Sequence, residues 1–197
     1  MGKRKYTKKI RAEQQVQTRD RIVQAAMELH EELGPRDTSI SAVAERAGVQ
    51  RLTVYRHFPD DTQLFHACSS QWLTLNPPPD SNQWQQETDP ITRTQTALES
   101  FFRYYRKTQT MWSGVYRDAK EVPAMDEPLR KFHGYLDGIS DDLSAHWQLR
   151  TKTQQRLAKS TLHHCLKFST WQSLDREGIS DKQMATLATK WMAGIVN

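Results

Sequence analysis

Thr38-Ser39-Ile40-Ser41-Ala42-Val43-Ala44-Glu45-Arg46-Ala47-Gly48-Val49-Gln50-Arg51-Leu52-Thr53-Val54-Tyr55-Arg56-His57-Phe58-Pro59 decides the fold. Ser39 is placed to cap a short helix through its hydroxyl. Ile40, Val43, Ala44 and Ala47 share one face of that helix. The small side chains of Ala44 and Ala47 let a second helix cross closely. Gly48 supplies the left-handed backbone that a side chain would resist, and Val49 plugs the core beneath the turn. A second short helix follows over about residues 50–57 and stops before Pro59. Val54 and Phe58 anchor it, which leaves Gln50, Arg51, Leu52, Thr53, Tyr55, Arg56 and His57 on its outer and flanking faces.

Outward from this unit the pattern stays helical. Ile22, Ala25, Ala26, Leu29 and Leu33 form an i, i+3, i+4, i+7, i+11 stripe that ends at Gly34-Pro35. Asp60 or Asp61 can cap a fourth helix running to about Leu75. Pro77-Pro78-Pro79 cannot be helical, so residues 76–89 are expected to be a loop. Further helices are predicted over 90–108, 111–121, 126–148, 152–175 and 180–195, separated by Pro123, Pro128, the polar stretch at 149–153 and Gly178. No alternating apolar run competes with them. The fold class is therefore all-α. A flexible arm is expected over 1–15, a three-helix domain over 16–60, and a larger helical domain over 61–197.

The chain of 197 residues carries a formal charge of +5. Its first 21 residues hold eight Lys/Arg against Glu13 and Asp20, an excess of six, so the remainder is nearly neutral. A basic segment leading into a folded domain points to a polyanion, with Lys8 and Lys9 as candidate contacts. Mean hydropathy is −0.80, and no apolar run approaches the roughly 20 residues that span a bilayer. No apolar core follows the basic start, so neither export nor a membrane partner is expected. Cys68 and Cys165 are far apart and form no metal knuckle or disulfide framework. A reducing, cytoplasmic location follows. His163-His164-Cys165 invites a metal reading, but neighbours on a helix point about 100° apart and cannot close on one ion. No cofactor is expected. No motif assembles a nucleophile, a base and an anion hole, so an enzyme is not expected either.

A short exposed helix bearing Gln50, Arg51, Thr53 and Arg56 suits the major groove of double-stranded DNA. The run also closely resembles the DNA-binding domain of the TetR family of transcriptional regulators over about residues 18–66. The resemblance rests on Val43-Ala44, Ala47-Gly48-Val49, Thr53-Val54-Tyr55-Arg56-His57-Phe58-Pro59 and Leu64, with Ala25-Ala26, Leu29 and Gly34 before them. It implies phosphate contacts from Ser39, Tyr55 and His57, and groove contacts from Arg51 and Thr53. Three positions depart from the family pattern. Gln50 stands where Ser is usual and can pair with adenine. Leu52 stands where Gly is usual and can meet a thymine methyl. Asp61 replaces a phosphate-binding Lys. Leu52 and Asp61 are also the features that would favour the rival reading, a helical small-molecule-binding protein with weak or lost DNA binding.

The resemblance further implies a helical ligand-binding and dimerisation domain. Two such chains would read a near-palindromic site as a homodimer. Thr161, His164, Cys165, Phe168, Leu187 and Trp191 are candidates for the subunit interface. Aromatic residues are frequent between positions 72 and 171. Trp72, Phe101, Tyr105, Trp112, Tyr116, Tyr135 and Trp171 are candidate walls of a pocket for a small apolar or aromatic effector. The function expected is a repressor released from its operator by that effector.

Overall fold

The computed structural model describes residues 2–196, and their side chains from residue 8 onward. It holds nine α-helices and two short 3₁₀ turns, with no strand among the described residues. The helices are α1 (Gly2–Glu32), α2 (Ile40–Arg46), α3 (Arg51–His57), α4 (Asp61–Leu75), α5 (Pro90–Asp118), α6 (Asp126–Ala145), α7 (Lys152–Cys165), α8 (Phe168–Asp175) and α9 (Asp181–Val196). The 3₁₀ turns are Ser81–Gln83 and Pro123–Met125. Among the described residues no helix is long and apolar enough to cross a membrane.

Two compact units emerge. The first comprises the residues up to Asn76 together with Ser113–Pro128; the second comprises Pro77–Trp112 and the residues from Leu129 on. α4, expected with the C-terminal part, is grouped with the first three helices. The reason is its apolar face: Leu64, Phe65, Cys68 and Trp72 are all buried. Phe65 stacks near His30 of α1 at 5.3 Å between ring centroids. Ile22, Val23, Ala26 and Leu29 of α1 complete this core with Val43 and Val54.

Local chemistry sets the boundaries of α2–α4. The Ser39 hydroxyl accepts the Ala42 N–H at 3.2 Å, and the Asp60 carboxylate accepts the Gln63 N–H at 2.8 Å. Gly34 and Gly48 adopt φ of +92° and +65°. Three expectations change. The segment 1–15 is helical from Gly2, because no Gly or Pro interrupts the Lys-, Arg- and Gln-rich run up to Glu32. The helices expected at 90–108 and 111–121 are one helix, α5, since nothing at Gln109-Thr110 breaks it. The helix expected at 152–175 is broken into α7 and α8. There Lys167 turns extended (φ −73°, ψ 143°), and the freed carbonyls of His164 and Leu166 accept the hydroxyls of Thr170 and Tyr105.

In the second unit, Trp84, Leu98, Phe101, Phe102, Tyr105, Leu136, Leu162 and Trp171 are fully buried. Arg93, also buried, ties the segment after the prolines to α5 and α6. It donates to the carbonyls of Trp84, Gln85 and Glu87, and pairs with both Asp142 oxygens at 2.9 and 2.8 Å.

Candidate nucleic-acid interface

α3 is held from beneath and open from above. Val54 is fully buried and Phe58 nearly so. The Val49 N–H donates to the Ala44 carbonyl at 2.9 Å, which closes the turn between α2 and α3. Arg46, at the end of α2, forms a two-pronged ion pair with Glu32 of α1 at 2.8 Å for each prong. The helix pair is thus a rigid platform, and its free side is a short row of polar and basic groups.

Gln50, Arg51 and Arg56 are exposed, and Thr53 and His57 are half-buried. Leu52 is 57% exposed and Tyr55 39% exposed, so neither serves as core. An exposed Leu on a helix of only seven residues is an apolar group available to a thymine methyl. Ser39 is exposed and already accepts a hydrogen bond as a cap, which leaves its hydroxyl proton free to donate. Asp61 lies exposed in the first turn of α4. Lys8 and Lys9 are exposed on α1; Lys9 approaches Glu13 at 3.9 Å. Arg19, not among the expected contacts, holds its guanidinium 4.8 Å from the centre of the Phe58 ring. The only sign of it was its membership in the basic N-terminal excess.

The ligand-wall candidates separate. Trp72 and Tyr116 lie in the first unit. Phe101, Tyr105, Trp112, Tyr135 and Trp171 lie together in the second: Tyr105 is 6.2–6.4 Å, centroid to centroid, from Phe101, Trp112 and Trp171, and Phe101 is 6.1 Å from Tyr135. Burial pushes the Tyr116 hydroxyl up to about 12. Trp84, Phe132 and Phe168 join the second cluster; Trp84 was overlooked because it sits in a stretch that reads as polar loop.

Of the interface candidates, His164, Leu187 and Trp191 are exposed and Thr161 is half-buried. Cys165 and Phe168 need correction: both are enclosed by their own chain. The α7–α8 break turns Phe168 inward against Tyr105 and Trp171, each at 5.4 Å. A surface cleft of about 310 Å³ is lined by His164, Ser169, Thr170, Ser173, Leu174 and Trp191. No group of three or more His, Cys, Asp or Glu that could hold a metal ion occurs among the described residues.

Residues 22–68 match the profile of the bacterial regulatory proteins of the tetR family. Comparison with curated proteins gives no match. Among solved structures, the fold resembles a TetR-like transcriptional regulator from Rhodococcus sp. RHA1, at 18% identity over 87% of this chain and 91% of that one, with a TM-score of 0.63. It also resembles NalD of Pseudomonas aeruginosa, the secondary repressor of the MexAB-OprM multidrug efflux pump (17% identity, 91% and 95% covered, TM-score 0.57). A third is FadR, a fatty acid degradation regulator from Bacillus halodurans (16% identity, 88% and 93% covered, TM-score 0.57). Residues 22–68 thus carry the match to the tetR-family regulatory proteins, and the all-helical fold around them resembles that of solved TetR-like transcriptional regulators.

Proposed function

We propose that the chain is a cytoplasmic, homodimeric repressor that leaves its operator when a small apolar or aromatic effector binds. One observation carries the DNA half of this reading. The outer face of α3, with Gln50, Arg51, Leu52, Thr53, Tyr55 and Arg56, is open while Val54 and Phe58 beneath it are buried. Arg51 would reach guanine or phosphate, Gln50 adenine and Leu52 a thymine methyl. Ser39, Tyr55, His57 and the basic start of α1, including Lys8 and Lys9, would hold phosphates and set the register.

The dimer is supported by apolar side chains left open on two packed helices: Leu157 on α7, and Leu187 and Trp191 on α9. The effector reading rests on the aromatic cluster around Tyr105 in the second unit. A ligand switches the protein only by its difference in affinity between two states. NalD and FadR are named for regulating an efflux pump and fatty acid degradation, which makes apolar compounds the first effectors to try.

The test is a gel-shift with the DNA lying upstream of the chain's own coding sequence. Retardation at low salt that is reversed by an apolar or aromatic compound is expected. No retardation at low salt would overturn the proposal in favour of a small-molecule-binding protein with lost DNA binding.

A further inference from the structure

From Lys8 to Arg21 every side chain is exposed except Ile10 and Thr18, which are half-buried, and the first fully enclosed residue is Ile22. A polar helical segment with no packed face is marginal in water by itself. Its charges are nonetheless sorted. At about 100° per residue, Lys8, Arg11, Gln15 and Arg19 fall within an arc of about 80°. Glu13 and Asp20 fall on the opposite side; Lys9, 3.9 Å from Glu13, and Arg21 also lie off the stripe. Arg19 stacks on Phe58, the residue that closes α3, at 4.8 Å. The basic stripe is therefore on the side of α1 next to the end of α3. Ile10 and Val16 are about 120° apart, so the segment has no apolar face of the kind a lipid-surface helix buries.

We infer that this stripe is a second DNA contact surface, in which Lys8 and Arg11 bind backbone phosphates beside the groove that α3 enters, with Arg19 fixing the helix's direction. This rests on the DNA-binding reading above and sharpens it: the contact belongs to one helical face, not to a diffuse basic tail. From Lys8 to Arg19 the helix rises about 16 Å, the length of about five base-pair steps. That reach adds phosphates beyond those near Ser39 and Tyr55. It also offsets the carboxylate that Asp61 places at the start of α4.

The test uses the full chain and a mixed-sequence duplex of about 30 base pairs, with affinity measured between about 50 and 200 mM salt, since phosphate contacts show in the salt slope. Lys8→Gln with Arg11→Gln should lower the slope by about 2 per bound chain and weaken low-salt binding about tenfold or more. Gln15→Lys, which extends the stripe, should raise the slope by about 1. Arg21→Gln, exposed and about 120° round the helix from the middle of the stripe, should change it by well under 1. A double variant with the unaltered slope overturns the inference, and so does a loss from Arg21→Gln as large as that per charge on the stripe. Arg51→Ala separates the two readings: if it weakens binding while the stripe variants do not, the groove reading stands and this one fails. A chain that fails to bind the duplex at low salt overturns both.

Discussion

His30 shows how the first unit treats an ionisable residue. It is 9% exposed, lies beside Phe65, and its Nδ1 is 3.4 Å from the Cys68 sulfur. Burial lowers its pKa to about 4, and the same burial pushes the Cys68 thiol up to about 12. An unfolded histidine titrates near 6.5. Between these values the unfolded chain takes up a proton that the folded chain declines. The stability due to neutral His30 is thus complete above about pH 6.5 and is lost as pH falls towards 4. Urea midpoints of the native chain should fall more steeply across this window than those of His30→Leu. The accumulated difference should be on the order of 3 kcal/mol, and parallel curves would contradict it. The residues legible in the sequence were those with local roles: Ser39 and Asp60 as caps, Gly48 as the turn, Val54 and Phe58 as anchors. His30 and the Arg19–Phe58 stack were not, because each is defined by a partner 38 or 39 positions away.

At the scale of elements, the end of α5 is the part of the first unit least visible beforehand. Asp118 is fully buried. It accepts the backbone N–H of Arg36 at 3.2 Å and pairs with Arg117 at 2.7 Å. The hydrogen bond from Arg117, foremost among several influences, holds its pKa below the ordinary carboxylate value. Arg117 also donates to the Leu33 carbonyl at 3.0 Å, and a side chain at Gly34 would collide with Arg117 and Asp118. This carboxylate therefore ties the loop between α1 and α2 to α5. Asp118→Ala leaves that amide without its partner and should cost about 1–3 kcal/mol, read as a lower urea midpoint; an unchanged midpoint would refute the role. Sequence periodicity located most helices because it records which face is buried. It divided α5 wrongly and joined α7 to α8, because the second break is made by the hydroxyls of Tyr105 and Thr170 and not by Gly or Pro.

For the whole molecule, the proposed function needs a DNA-reading unit, an aromatic-cored helical unit and two copies on one operator. The all-helical class and the DNA-binding domain were readable because the turn and anchor residues of α2 and α3 are contiguous. The interface was less so: Cys165 lies on the buried face of α7 with Ala158 and Leu162, and the break that follows turns Phe168 inward. The central claim is that two copies of α3 enter the major groove. Chemical protection of guanine N7 on the chain's upstream DNA tests it most directly, because that atom lies in the major groove. Two protected patches are expected, with centres about 34 Å apart or a multiple of that, both lost in Arg51→Ala. A single patch, or protection that survives Arg51→Ala unchanged, would contradict it.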